Sequence, residues 1–298
     1  MRFIRKDNIL AIIFILALTF LVFWQFFLKG LYPFPGDFLL AWYEPWKTEH
    51  FLNGKILIPH KPVAEDVFRQ IIPFRTLGLD IIKKIQLPLW NPYNGAGMPL
   101  LATINIGFLD PFNIIFLFLK YDLAWSIYIV IQYFLIGYFT YIYTRKISLS
   151  FASSLFSSIV FLFSGFVTVR IIFGMHGLAI ALLPLILYLI ESYIQNPKGK
   201  VLYLLPLCIF ILIVSTQPQI SFYIISFSFL YLVIKIAIER HKIKNRLIKV
   251  SIPSFLMFIG FGLSSVQLLP TLELFKLANL NKQSSSFIFE SFQNSSRT

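Results

Sequence analysis

Residues 8–28 read NILAIIFILALTFLVFWQFFL, a run of 21 residues without a charged side chain. A helix needs about 20 consecutive, mostly apolar residues to cross the hydrocarbon core of a bilayer. The run is too long for the apolar core of a signal peptide, and no small-residue cleavage site follows it before Lys29. We therefore interpret it as a retained transmembrane helix.

The rest of the chain repeats this pattern. Of its 298 residues, 57% are hydrophobic and only 13% are charged, whereas soluble domains carry about 25% charged residues. This composition excludes a soluble enzyme, a disordered linker and a fibrous protein. The sequence therefore predicts an all-α fold, a polytopic transmembrane helix bundle of about seven spans. The predicted spans lie at about 8–28, 125–143, 149–168, 177–195, 201–216, 219–238 and 250–269.

The basic residues predict how the bundle is oriented. Lys and Arg outnumber Asp and Glu by 26 to 13. With a cytoplasmic N-terminus, the basic clusters 145–146, 198–200 and 240–249 all fall on the cytoplasmic side. Arg170 is then the only basic residue in the short outer connections. Because cytoplasmic loops of membrane proteins are enriched in Lys and Arg, we expect a multi-pass protein of the cell membrane with its N-terminus inside. Anionic lipid, not nucleic acid, is the expected partner of these clusters.

The same alternation of cytoplasmic and outer connections divides the chain into segments. A first transmembrane helix at 1–29 is followed by an extracytoplasmic loop at 30–124 and a six-helix bundle at 125–269. Residues 101–119 are apolar enough to span, but Asp110–Pro111 interrupts them, and a span here would place the basic clusters outside. We expect this segment to be re-entrant or to lie on the outer leaflet. A kinked, spanning helix stays open as the alternative.

Two further segments complete this organisation. Residues 64–86 predict two short amphipathic helices, split at Pro73, that lie along the membrane interface. Residues 270–298 are Ser- and Asn-rich and end abruptly. We interpret them as an extracytoplasmic tail of a chain that looks truncated.

Two acids of the large loop are candidates for catalysis. Asp37 lies shortly after the first span, and Asp66 is followed one helical turn later by Gln70, a candidate substrate ligand. A carboxylate near the membrane surface can take a proton from an acceptor hydroxyl or hold a divalent cation against a phosphate. The alternative is that Asp37 caps a turn after Gly36 and that Asp66 begins a solvated helix. A divalent cation could bind through Asp37, but the sequence supplies no dedicated ligand cage, and we assign no metal ligands.

An irregular string within the loop is a candidate sugar-binding surface. Residues 87–100 read LPLWNPYNGAGMPL, and their prolines and glycines favour a tight, ordered loop. Trp90 and Tyr93 offer aromatic faces for stacking on a sugar, with Asn91 between them. The alternative is an interfacial aromatic anchor, which is the ordinary role of a single Trp at this depth.

Five polar residues lie near the outer ends of the predicted spans: Arg170, His176, Gln217, Gln219 and Gln267. An Arg at the centre of a membrane helix costs about 2.5–3.5 kcal/mol on insertion scales, so such groups usually face an interior cavity. Each could instead extend to the lipid headgroups. An Arg, a His and several amides suit an anionic phosphate and sugar hydroxyls. We therefore expect one outward-facing, substrate-binding cavity.

Several strings, in order along nearly the whole chain, resemble the YfhO family of bacterial membrane proteins. They include EDVFRQIIPF at 65–74, LPLWNPY at 87–93, GAGMPL at 95–100, GFLDPFN at 107–113, QPQ at 217–219 and QLLPTLE at 267–273. The family is grouped with the C-type glycosyltransferases, which take a sugar from a polyprenyl-phosphate donor and use an acid of the first outer loop. The resemblance implies that Asp66 or Asp37 is this acid. Full-length relatives are longer, so the chain looks like an N-terminal portion.

The leading hypothesis is a membrane glycosyltransferase that moves a sugar from a polyprenyl-phosphate donor to a cell-envelope glycan or polymer on the outer face. No Gly-rich phosphate loop ending in Gly-Lys-Ser/Thr occurs, so the energy must come from the donor. The alternatives are a flippase of lipid-linked sugars and a non-catalytic scaffold. A flippase is expected to show paired broken spans in two related halves, and the sequence shows no such pairing.

Overall fold

The computed structural model describes residues 2–52, 58, 65–104, 107–238 and 243–277. Residues 278–298 of the predicted tail, and Arg240 and Lys242 of the predicted basic cluster, lie outside the described residues. The helices of the described part are α1 (Arg2–Val22), α2 (Trp24–Lys29), α3 (Asp37–Trp42), α4 (Trp46–Leu52), α5 (Ile72–Lys83), α6 (Ile115–Phe118), α7 (Tyr121–Lys146), α8 (Phe151–Leu162), α9 (Gly165–Arg170), α10 (His176–Gln195), α11 (Leu205–Ser215), α12 (Pro218–Ile238), α13 (Ile243–Leu263) and α14 (Ser265–Leu277).

Four of these helices are long and apolar enough to cross a membrane: α7, α10, α12 and α13. A fifth span is formed if α8 and the bent continuation to Phe173 are taken as one. The apolar helix Lys200–Ser215 is shorter, and the first predicted span corresponds to α1 and α2. The all-α membrane bundle is therefore confirmed, and the predicted number of spans is approximate.

Two predicted spans are broken within their predicted ranges, the first where serine caps a new helix. The span expected at 149–168 bends by 44° because the Ser164 side chain accepts a hydrogen bond from the Val167 N–H, which starts α9 afresh. The span expected at 250–269 ends at Leu263, and α14 then continues to Leu277. The boundary expected at Pro270 therefore falls inside a helix.

The helices α7, α10 and α12 end on the same side of the bundle, which therefore has two distinct ends. At one end, Arg145 near the end of α7 pairs with Asp7 near the start of α1 at 3.3 Å, and Gln195 at the end of α10 donates to the Lys146 carbonyl at 3.0 Å. We call this the basic end. The other end carries the connection at residues 30–120 and is called the loop end.

The loop end is built partly from the segment predicted as two interfacial helices. The chain is helical without interruption from Glu65 to Lys83, with a π-helical turn at Val67–Ile71, and so the split expected at Pro73 is absent. Pro73 lies in the first turn of α5, where a missing N–H is best tolerated. Ile85 is 97% exposed, because α5 ends at Lys83.

Residues 107–120 contain only short helical turns, so no described helix there is long enough to span. Asp110 accepts a hydrogen bond from the Phe112 N–H at 2.8 Å and starts a 3-10 turn at Pro111. The Asn113 amide donates to the carbonyls of Gly107 and Phe108. These two side chains satisfy three of the polar backbone groups of this irregular segment from within the protein.

Candidate functional site

A cavity of about 330 Å³ lies at the loop end between α8, α9, α10 and α12. It is lined by three of the predicted polar residues, Arg170, Gln217 and Gln219. The rest of the lining is largely apolar and includes Phe161, Phe166, Leu183, Ile220, Ile224 and Phe227. The cavity therefore combines one cation and two amides with a hydrocarbon-like wall.

The cavity's polar residues are held by local structure. Arg170 ends α9, and its guanidinium carbon lies 6.0 Å from the centre of the Phe173 ring. The Gln219 amide donates to the hydroxyl of Tyr223 at 2.9 Å, one turn further along α12, and Tyr223 also lines the cavity. Gln217 immediately precedes Pro218, the first residue of α12. These contacts place a cationic and hydrogen-bonding edge on an apolar pocket.

His176 and Gln267, predicted to join this site, instead bind other parts of the protein. Nδ1 of His176 lies 2.9 Å from the Thr216 hydroxyl, so it ties the start of α10 to the corner between α11 and α12. The Gln267 amide donates to the Leu101 carbonyl at 2.6 Å. Both residues are buried, and neither lines the cavity that contains Arg170.

The two candidate acids lie on neighbouring elements. Asp37 begins α3, and Asp66 is an exposed residue directly before the π-helical turn. The rings of Phe38 and Phe68, which follow these acids, stack at 6.4 Å. Gln70 is half-buried on the same turn. Neither acid lines the Arg170 cavity, although Phe38 and Phe173 belong to the same apolar core.

The aromatic string forms a small β-hairpin. Its strands, β1 (Trp90–Asn91) and β2 (Met98–Pro99), pair in antiparallel fashion. Asn91 is buried and accepts a hydrogen bond from the Tyr93 N–H at 2.9 Å, which fixes the turn. Trp90 is half-exposed and packs over Gly97, whereas Tyr93 is 84% exposed. None of Trp90, Asn91 and Tyr93 lines the Arg170 cavity, and their sugar-binding roles stay predictions.

The structure brings together a buried polar cluster that the site prediction omitted. Arg75 is fully buried, and its guanidinium carbon lies 5.5, 5.6 and 5.7 Å from the ring centres of Phe116, Trp125 and Tyr128. The Tyr128 hydroxyl donates to the carboxylate of Asp110, which is also buried. Burial raises the pKa of Asp110, and the nearby charge of Arg75 and the hydrogen bonds oppose this rise.

The signals for this cluster were present in the sequence. Ile71, Arg75 and Leu79 occur at helical i, i+4, i+8 spacing, which puts Arg75 on the apolar face of α5. Asp110 interrupts an otherwise apolar run. An ionisable residue in either place needs a buried partner. Among the described residues, no group of three or more His, Cys, Asp and Glu side chains could hold a metal ion.

We expect the His176→Leu substitution to lower the free energy of unfolding by about 1–3 kcal/mol, because it leaves the buried Thr216 hydroxyl without its partner. In the matched His176→Asn variant, the shorter amide can still reach Thr216, and most of the stability should remain. Thermal unfolding in detergent measures both variants. Equal stability of His176→Leu and the parent would show that this contact is not stabilising.

Comparisons with known proteins support one family assignment. The family model described as "Bacterial membrane protein YfhO" matches residues 59–296, most of the chain. No curated protein and no solved structure matches the chain. The family match agrees with the apolar bundle and with the strings at 65–74 and 87–100. The chain therefore belongs to the YfhO family of bacterial membrane proteins.

Proposed function

We propose that this membrane protein is a glycosyltransferase. It moves a sugar from a polyprenyl-phosphate donor to a glycan or polymer acceptor of the cell envelope, and it does so on the outer face of the membrane. The donor contributes a long hydrocarbon chain, a phosphate anion and a sugar rich in hydroxyl groups. A site for it must therefore combine an apolar wall, a cation and neutral hydrogen-bonding groups.

The cavity at the loop end is the observation that carries this proposal. It presents Arg170, Gln217 and Gln219 on an otherwise apolar lining. Two of its lining residues, Phe166 and Phe227, are half-exposed on the outside of the bundle, where lipid would lie. A hydrocarbon chain could therefore reach the cavity from the bilayer, with its phosphate near Arg170, because guanidinium binds phosphate well.

The orientation follows from the positive-inside rule. Arg145, Lys146 and Lys235 lie at the basic end, on the ends of the helices remote from the large loop. Placing that end in the cytoplasm puts the cavity and both candidate acids outside. The N-terminus is then cytoplasmic, and the acceptor is approached from the envelope side.

The proposed reaction is an inverting displacement. Asp66 or Asp37 takes the proton from the acceptor hydroxyl as the acceptor oxygen bonds to the anomeric carbon. The bond between this carbon and the phosphate oxygen breaks, and its electron pair leaves with the lipid phosphate. Arg170 stabilises the negative charge that develops there. Gln217 and Gln219 hold the sugar hydroxyls by hydrogen bonds.

The proposal is tested by mixing the purified protein, reconstituted in vesicles, with a radiolabelled polyprenyl-phosphate sugar and an envelope glycan. Release of lipid phosphate with label in the glycan is the expected result. Movement of intact donor across the bilayer without release would instead indicate a flippase. If the protein neither transfers the sugar nor moves the donor, the result indicates a scaffold and overturns the proposal.

We expect at least one of the substitutions Asp66→Asn and Asp37→Asn to lower the transfer rate by about 10²–10⁴-fold, because it removes the general base. Folding should be preserved, since each change keeps the size of the side chain and Asp66 is exposed. The rate of lipid-phosphate release measures the effect. Asp80→Asn, an exposed change on α5, is the matched control and should keep the parent rate. Parent rates in both test variants would remove the acids from the mechanism.

A further inference from the structure

A run of exposed apolar residues lies outside the spanning helices, between α5 and the β-hairpin. Ile85, Leu87 and Leu89 are 97, 68 and 57% exposed. They are followed by the half-exposed Trp90 and the exposed Tyr93. We call these five residues the hairpin patch. Apolar residues of this size rarely cluster on a surface in contact with water unless they bind a partner.

The backbone at Ile85 is unfavourable for the residue that occupies it. Ile85 has φ +59°, in the left-handed region, and its N–H donates to the Ile82 carbonyl at 2.8 Å directly after α5. Helices commonly end in this conformation with Gly, and a β-branched residue here is an outlier. The chain thus accepts a strained backbone at the very residue whose apolar side chain is fully exposed.

The patch adjoins a hairpin that hydrogen bonds and apolar contacts join to the rest of the protein. The Leu100 N–H donates to the Leu89 carbonyl at 2.8 Å, next to the paired strands β1 and β2. Leu100 and Leu101 are buried against Phe74 and Phe108. The Gln267 amide of α14 also binds the Leu101 carbonyl. These contacts join the hairpin that carries the patch to α14 and α5.

Charge next to the patch favours a lipid partner. Lys83 and Lys84 are both exposed and directly precede Ile85. Lipid headgroups supply phosphate anions, and the acyl boundary beneath them accepts apolar side chains. Exposed lysines beside Leu, Trp and Tyr side chains are typical of segments that lie in this interface.

From these observations we infer that the hairpin patch binds the membrane surface at the loop end, with its apolar side chains at the acyl boundary and Lys83 and Lys84 on anionic headgroups. This contact would anchor α5, and with it Arg75 and the loop that bears the candidate acids, against the bilayer. The inference does not depend on whether the protein transfers sugar.

The test places a fluorophore on Leu87→Cys in the full chain, reconstituted in nanodiscs that contain spin-labelled lipids. Cys208 is buried, and labelling of the parent gives the background. We expect loss of most of the fluorescence at position 87, with shallow quenchers more effective than deep ones. The matched control is Asp80→Cys, an exposed position on α5. A fluorophore at this position should lose little of its fluorescence.

Two further variants keep the test decisive. If Leu87→Cys does not fold, the fluorophore is placed on Leu89→Cys instead. We expect the same quenching at that position. Lys83→Gln/Lys84→Gln, added to the labelled protein, should reduce quenching more in discs of anionic lipid than in discs of neutral lipid. Equal, weak quenching at positions 87, 89 and 80 would show that the patch faces water or a protein, and it would overturn the inference.

Discussion

Arg170→Met is expected to lower the rate of sugar transfer by about 10²–10³-fold at saturating donor, which is the usual effect of removing one preorganised group that stabilises developing charge. Arg170 is the cation among the residues that line the loop-end cavity. Methionine keeps much of its length and can still pack near Phe173. The initial rate of lipid-phosphate release measures the effect, and circular dichroism checks that the helices remain.

Two arginine variants separate charge from shape in this prediction. Arg170→Lys retains the charge but not the planar pair of donors, so its rate should fall between those of the parent and Arg170→Met. Arg145→Met removes the same charge at the basic end, where Arg145 pairs with Asp7, and should leave transfer unchanged. If Arg170→Met keeps the parent rate, Arg170 does not stabilise the leaving phosphate.

The bundle could be predicted from the sequence because hydrocarbon imposes a simple rule. A segment in lipid must satisfy its own backbone hydrogen bonds, so a long apolar run is almost always a helix. The breaks were harder to predict, because they depend on single caps. Ser164 starts a new helix at 165, yet serines elsewhere in apolar runs, such as Ser158, donate to the carbonyl four residues earlier and leave the helix intact.

The convergence of Arg170, Gln217 and Gln219 could be anticipated from their shared end of the bundle. The sequence indicates how deep a side chain lies along a helix, but the direction in which it points depends on packing against distant segments. Gln267 illustrates this difference. It has the same residue type and depth as Gln217, but it donates to a carbonyl 166 positions earlier in the chain.

The buried cluster around Arg75 was missed for a related reason. Arg75 and Asp110 are separated by 35 positions and lie on segments that looked like an interfacial helix and a re-entrant loop. Each residue occurs in an apolar stretch, but neither position indicates that the two side chains share one buried cluster. Only the packing of α5 against the first turns of α7 shows that both are inside the protein.

The cluster leads to the second large effect, which is on stability. Asp110→Asn should destabilise the protein by about 1–3 kcal/mol, because the buried Tyr128 hydroxyl would lose its charged acceptor and the nearby Arg75 charge would lose a favourable neighbour. Arg75→Met should cost less, since Asp110 can take up a proton whereas a guanidinium cannot lose one. The double variant should resemble Arg75→Met. The free energy of unfolding of each variant, measured in detergent, ranks the three variants by stability.

The pH dependence of Arg75→Met distinguishes this explanation from simple loss of packing. Without the Arg75 charge, burial raises the pKa of Asp110 further above its ordinary value of about 3.9. The folded state then binds a proton that the unfolded state has already released, so the stability of Arg75→Met should fall as the pH rises through this window, relative to the parent. The control is Arg69→Met on the preceding turn, where the exposed pair with Glu65 should contribute no more than about 1 kcal/mol. If Arg75→Met and Arg69→Met show the same pH profile, Asp110 and Arg75 do not compensate each other in the folded protein.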